Sequence, residues 1–399
     1  MDLLHNTVQP YAWGSATAIP ELLGTENPDG TPQAELWMGA HPSAPSRVAR
    51  GDEEVTLDAV IAADPEGELG APVAERFGGR LPFLLKVLAA QKALSIQLHP
   101  DRTQAQAGFA AEERRGVPRG ARERVYVDDW PKPEVLCALT PFEVLAGLRP
   151  ALQAADVLDG LGVAELDDMV WGLREIPEPA TVGQALAELL AWPQDTRAEL
   201  VERVLEGAAQ AARRGGEYKA AYEAVGRVSA DHPGDIGLVC SLLMNHAVVE
   251  PGRALFMAAG GVHAYIRGTG VELMANSDNV IRAGLTPKHI DIPELVRVLD
   301  PAVPVPILTA RATAAGIEEF DTPVPEFRLR RLTLAGTEIA VPGDRTPRIL
   351  LCVEGSVQVR LGVVQSLTLT RGQSCFLSAR DAGVTVGGGA ELFLASPGQ

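Results

Sequence analysis

The spacing of apolar residues changes character three times along the chain, and each change predicts a different kind of element. Up to residue 150 the pattern predicts mixed β structure with helical connections. In it, LPFLLKVLAA and ALSIQLHP read as two adjacent strands joined by a polar turn at Gln91 and Lys92. From Leu152 to Asp231 alanine, leucine and glutamate recur at helical spacing. VGQALAELLAW and TRAELVERVLEGAAQAARRG predict amphipathic helices, the second closing at Gly215 with arginines in its last turn. Strand patterning resumes at Arg253 with ALFMAAG, GVHAYI, VELMA and NVIRAGL, and DIPELVRVLD predicts one helix with Asp291 as its N-cap. Beyond the proline-rich PAVPVPIL, the segments RLRRLTLAG, RILLCVEGSVQVRL, SLTLTRG and ELFLAS predict short strands with glycine-bearing turns, the signal of a sandwich or jelly roll. The expected division is therefore residues 1–150 with 232–300 as one β domain, 151–231 as a helical insertion, and 301–399 as a C-terminal β domain. No internal repeat or low-complexity segment interrupts it.

The length of 399 residues fits several cores rather than one. The apolar content of 46% is that of a globular protein, and no stretch is apolar for long enough to span a membrane. MDLLHNTVQPYAWGS lacks the basic-then-apolar pattern of a signal peptide. Cys137, Cys240, Cys352 and Cys375 are far apart, fit no paired zinc spacing and read as reduced core residues. These features place the chain in the cytoplasm. A net charge of −17 argues against nucleic acid as a partner and makes any local positive cluster informative. Only five of the 35 basic residues are lysines, an imbalance expected of a GC-rich genome. Under such a bias lysine persists where arginine cannot substitute, and Lys86, Lys132 and Lys288 all fall in the motifs below.

Reactive groups concentrate in HAYIRGTGVELMANSDNVIRAGLTPK, from His263 to Lys288. A buried ionisable group costs free energy unless it is paired or metal-bound, so a strand-patterned stretch this rich in such groups lines a site. Upstream, Gln97 and His99 lie two apart at a strand end and so project from one face. Glu134 follows Pro131-Lys132-Pro133, whose prolines fix the backbone before it. His263 follows Gly260-Gly261 in a tight turn into a strand. Each of these alone reads as an ordinary polar or structural residue. His41, His246 and His289 read as structural or exposed, and Cys137 in VLCAL as core. No histidine follows His289, so the C-terminal unit reads as structural.

The motifs in combination resemble a known family. Gly260-x-x-His263 is similar to the second conserved box of cupins, with Ala258 where that box has proline. Gln97-x-His99 is similar to the first box, with glutamine for one histidine and the carboxylate delayed to Glu134. From His263 onward, His-Ala-Tyr, Glu-x-Met-Ala-x-Ser-Asp-Asn and Arg-Ala-Gly-x-Thr-Pro-Lys resemble the signature of type I mannose-6-phosphate isomerases. Tyr11 to Ser15, Ala34 to Gly39, Pro82 to Asp101 and Lys132 to Glu134 are similar to that family's other blocks, so the resemblance covers most of the chain. It departs at Trp130-Pro131. There the family has Asn-His, a histidine considered for proton transfer during sugar ring opening.

The resemblance implies a mainly β fold with an α insertion: two cupin-like jelly-roll β domains plus an inserted helical domain. It implies one zinc ion (Zn2+) per chain held by Gln97, His99, Glu134 and His263, nitrogen and oxygen donors that suit this metal and leave a net charge of about +1. The implied reaction interconverts mannose 6-phosphate and fructose 6-phosphate through an enediolate, with the metal polarising the carbonyl or supplying hydroxide. Arg282 would stabilise the enediolate charge, and Glu272, Lys132 and zinc-bound water compete as the base. Lys86 and Ser95 resemble residues near the phosphate end, where Lys288 adds positive charge. Trp13, Glu35, Tyr265 and Asp278 would line the pocket. The resemblance implies a small sugar phosphate as the partner and a place in carbohydrate metabolism including GDP-mannose biosynthesis, and the absence of an evident heptad or exposed apolar helix makes a monomer the expectation. The alternatives are a non-catalytic sugar- or metal-binding cupin, or an isomerase of another aldose phosphate or a free sugar. The presence of Glu272, Arg282 and Lys132 argues against the first.

Overall fold

The computed structural model describes residues 1–51, 53–363 and 365–398. Its β structure is antiparallel throughout the described residues and gathers into sheets of eleven and nine strands, besides one small hairpin. The pivot of the larger sheet is the thirteen-residue strand His263–Ala275. Its first half pairs with Phe142–Leu148 and Gln97–Leu98, and its second half with Phe83–Ala90 and Glu134–Ala138. GVHAYI and VELMA, read above as separate strands, are therefore one strand that changes partners at Gly268. Glycine is required at this corner: its φ is +143°, and a Cβ would lie 2.7 Å from the Phe142 ring.

LPFLLKVLAA and ALSIQLHP do not pair with each other. Both edges of Phe83–Ala90 are taken, by Glu35–Gly39 and by His263–Ala275. In ALSIQLHP only Gln97–Leu98 is strand. The residues before it are pinned from elsewhere, Leu94 N–H donating to the Tyr265 carbonyl at 2.8 Å and Ile96 N–H to that of Gly284 at 3.0 Å.

Period-2 alternation gives this sheet two different faces. Leu85, Val87, Val135, Cys137, Val271 and Leu273 point outward, into a core shared with Phe327, Leu329, Ile349, Leu351, Phe376 and Phe393 of the nine-stranded sheet. The alternate positions point inward. Along the register Trp37, Lys86 and Glu272 stand side by side, and Glu272 opposes Leu136 two residues from Glu134. Every residue of Phe83–Ala90 is buried, so its one lysine must find partners on that inward face.

The helices from Ala151–Asp159 to Gly237–Ser241 fill the excursion between the paired strands Phe142–Leu148 and Met244–Val249. Gln194–Arg214 buries Leu200, Val201, Val204, Ala208 and Ala211 at helical spacing and ends at Gly215 with Arg213 and Arg214 in the last turn. Ile292–Val298 is N-capped by Asp291, whose side chain accepts from Glu294 N–H. In the nine-stranded sheet Arg348–Leu361 and Val384–Ser396 form a long antiparallel pair, and Asp2–Leu3 joins its far edge beside Ser374–Leu377. All four cysteines are buried and free. No helix among the described residues is long and apolar enough to cross a membrane.

Candidate active site

Three side chains from three separate strand ends meet on the inward face. His99, Glu134 and His263 are fully buried or nearly so, and one ligand atom from each lies within 4.8 Å of the others. His99 Nδ1 is 2.9 Å from the Asn279 carbonyl and His263 Nδ1 is 3.1 Å from that of Gly261. A carbonyl only accepts, so each Nδ1 carries the proton and donates. Both Nε2 atoms then turn lone pairs toward Glu134 Oε2, at 3.1 Å from His99 and 3.3 Å from His263. His263 Nε2 has no hydrogen-bond partner. Two lone pairs facing a carboxylate in a dry pocket repel, and a divalent cation is the group that makes this donor set favourable.

Electrostatics keep the His99 imidazole neutral and the Glu134 carboxylate charged. Burial pushes His99 down to about 4 against the pull of Glu134. Burial would raise Glu134, but the Lys132 ammonium, at 3.1 Å, leads the causes that hold the carboxyl well below the usual range. Gln97 is the cross-strand partner of His263, a relation that puts two side chains on one face. Its other cross-strand neighbour is Arg282.

Beside this cluster the register assembles a charged floor. Lys86 Nζ lies 3.4 Å from Glu35 Oε2 and 3.6 Å from Glu272 Oε2, and over the Trp37 ring at 4.9 Å. Trp37 Nε1 donates to Glu35 Oε2 at 2.6 Å, and the Tyr265 hydroxyl donates to Glu272 Oε1 at 2.8 Å. Burial would lower the Lys86 ammonium, but Glu35, Glu272 and Glu134 overcome it and keep the group charged. For Glu272 burial and the field of Glu134 exceed the help from Lys86, and the carboxyl is pushed up to about 7. One buried carboxylate is thus firmly ionised and the other titrates near neutrality.

The segment 276–282 joins cluster to surface. Asn279 gives its carbonyl to His99, while its side-chain oxygen accepts from Val127 N–H at 2.8 Å and its amide donates to the Asp128 and Trp130 carbonyls at 2.9 and 2.8 Å. Asp278, Val280 and Arg282 alternate toward a cavity of about 370 Å³ that Arg122 and Lys288 also line. Burial lowers Arg282, and the Arg282 charge is the main cause that lowers Lys288, so the two cations repel. Asp278 Oδ1 is 3.3 Å from His41 Nε2.

The likeness seen in the motifs extends through the whole molecule. A model of the phosphomannose isomerase type I catalytic domain matches residues 1–151. The mannose-6-phosphate isomerase of Escherichia coli (strain K12) is 41% identical over 396 residues, 98% of each chain. The chain belongs to the mannose-6-phosphate isomerase family. Among solved structures, a variant of the Salmonella typhimurium phosphomannose isomerase superposes with a TM-score of 0.91 at 37% identity, covering 100% of both chains. A zinc-bound mannose 6-phosphate isomerase superposes with a TM-score of 0.90 at 37% identity, covering 100% of this chain and 99% of the other.

Within this family member the expected pocket residues are not all equally placed. Glu35, Lys86, Tyr265 and Glu272 form one contiguous group, and Lys132 abuts Glu134. Lys86 is enclosed between Glu35 and Glu272, because the register sets it directly across from Glu272, while Arg282 and Lys288 line the cavity at the surface. Trp13 is half-buried, stacks on Tyr11 at 5.8 Å and accepts on its carbonyl from Gln91 and Lys92 N–H. Ser95 is half-buried between the pinned Leu94 and Ile96.

Two residues near the site escaped the sequence reading. His41, which reads in the sequence as structural or exposed, is buried against Trp37 and holds Asp278. Trp37 itself, two residues from Glu35 on the same strand face, was findable by alternation alone. His246 pairs with Glu143 at 2.7 Å, away from the cluster, and Cys137 is core. Where the family pattern has Asn-His, Trp130 takes the place of the asparagine and packs its ring on Phe77 and under Arg80 at 4.3 Å, while Pro131 takes the place of the histidine and brings no ionisable group.

Proposed function

We propose that this chain is a zinc-dependent aldose–ketose isomerase interconverting mannose 6-phosphate and fructose 6-phosphate. The observation that carries the reading is the pair of buried imidazoles aiming Nε2 lone pairs at Glu134, beside a second carboxyl poised near 7. His99, Glu134 and His263, with Gln97 beside them, would hold one zinc ion. When bound, zinc supplies Lewis-acid polarisation of the substrate carbonyl or its neighbouring hydroxyl.

The chain's own groups do the rest. Once the sugar ring is open, Glu272 takes the proton from C2 of the aldose and, as the carboxylic acid, returns it to C1. A base poised near working pH serves both halves of such a shuttle. Tyr265 fixes the direction of that carboxyl, and Lys86 keeps its ionised form accessible. Lys132 stands beside Glu134, where it donates to the sugar oxygens as their protons shift between O2 and O1. Arg282, across from Gln97, stabilises the enediolate charge, and Lys288 receives the phosphate. Glu35, Trp13, Ser95 and Asp278 complete the pocket wall, with His41 orienting Asp278. A purely sugar-binding role would not call for a buried carboxyl held near 7. Four buried, unpaired thiols suit a reducing compartment, and we place the activity in the cytoplasm, feeding GDP-mannose biosynthesis.

The test is a coupled assay for fructose 6-phosphate formed from mannose 6-phosphate, before chelation, after it, and after zinc is restored. Turnover lost and then regained is expected. No turnover in zinc-reconstituted protein refutes the isomerase, and full turnover in verified metal-free protein refutes the zinc.

A further inference from the structure

The mouth cavity carries more positive charge than Arg282 and Lys288 provide. The segment from Gly116 to Asp129, which has no helix or strand, brings Arg119, Arg122 and Arg124 to the same rim on a chain of net charge −17. These three arginines are not equivalent. Arg124 is buried and fully committed, to Glu112 at 3.0 Å, Glu113 at 2.7 Å and the Tyr126 carbonyl at 2.6 Å. Arg119 leans on Glu113 at 3.7 Å. Arg122 is exposed and, among the described residues, has no carboxylate within 4.0 Å. Its one hydrogen bond runs from Nη2 to the Pro287 carbonyl at 3.1 Å. That bond sets the guanidinium next to Lys288, with its remaining N–H donors free to face the cavity. Glu112, by accepting from Val125 and Tyr126 N–H at 3.1 and 2.8 Å, and Asn279, by accepting from Val127 N–H, hold the segment to the body of the protein.

We propose that Arg122 is a substrate-binding residue that grips the phosphate of the sugar phosphate together with Lys288. The assignment rests on the isomerase reading above and deepens it. A phosphate dianion presents several acceptor oxygens, which a guanidinium fork meets in a fixed geometry that an ammonium cannot reproduce. The Pro287 carbonyl orders that fork before substrate arrives, which lowers the cost of ordering it on binding. The cavity is lined by Asp278 and Val280, the neighbours of the Asn279 whose carbonyl supports His99, so a phosphate held there sits one residue away from the support of the metal cluster.

The experiment compares wild type, Arg122→Gln and Arg122→Lys as zinc-loaded full-length proteins. Steady-state kinetics with mannose 6-phosphate are combined with calorimetric titration of inorganic phosphate. For Arg122→Gln, KM should rise about tenfold with kcat within about twofold, and phosphate affinity should fall in parallel. Arg122→Lys should fall between the two, with the salt dependence of KM retained. An unchanged KM and phosphate affinity in Arg122→Gln overturns the assignment, as does a raised KM with unchanged phosphate affinity, which would mean the segment had merely shifted. Wild type that binds phosphate through Arg122 but never turns over mannose 6-phosphate sinks the isomerase reading instead. The two failures are thereby distinguished.

Discussion

His263 Nε2 lies 3.3 Å from Glu134 Oε2 and has no hydrogen-bond partner, although both side chains are buried. A ring nitrogen in that position is destabilising until a cation or proton arrives. The proton is disfavoured for the neighbouring imidazole, because burial holds His99 down to about 4.

Zinc binding should therefore depend on both rings and persist into mild acid. His99→Ala or His263→Ala should weaken zinc affinity by about 100-fold or more, with stoichiometry falling from one per chain, as measured by competition with a chromophoric chelator and elemental analysis. Wild-type affinity should fall steeply only as pH drops toward the low His99 value, rather than through the usual imidazole range. A midpoint near pH 6.5 would count against neutral, buried ligands.

Glu272 should titrate near pH 7 in metal-free protein, followed by carboxyl infrared bands assigned with Glu272→Gln. Its folded value is raised above the ordinary 4.5, so its contribution to stability is complete below that value and is lost as pH rises through about 7. Glu272→Gln should thus flatten this part of the stability profile of the metal-free protein while lowering kcat by about 100-fold or more. Zinc offsets the Glu134 field, so adding it should move the titration downward.

Asn279→Ala deletes the side-chain bonds that tie 127–130 to the site. Leaving those buried backbone groups unpaired should cost about 1–3 kcal/mol in urea unfolding. Zinc affinity should fall by about tenfold, because the carbonyl supporting His99 sits on the same residue.

Trp130→Ala should remove a buried ring packed on Phe77 and costs about 3–5 kcal/mol. If Trp130 serves the core, kcat at saturating zinc should stay within about threefold below the lowered melting temperature. A large loss of kcat in folded variant would instead place Trp130 in the chemistry.

Local patterning foretold much of this molecule. The helical insertion, the Gly215 and Asp291 ends of two helices and the strands of the C-terminal sheet follow from spacings of a few residues. The same holds for the recurrence of family motifs around Gln97, Glu134 and His263. Pairing partners and charge partners were not legible, because both depend on residues far apart in the chain. ALSIQLHP has the alternation of a strand, yet Phe83–Ala90 had no free edge to offer it. Lys86 shows no charge partner in the sequence until the register places it across from Glu272, where two carboxylates enclose it. His41 looks inert until Asp278, more than two hundred residues later, comes to rest on its Nε2. Alternation dictates which face a side chain takes. The long-range packing of strands dictates what it meets there, and that meeting sets the charge on Glu134, the near-neutral titration of Glu272 and the place where a cation belongs.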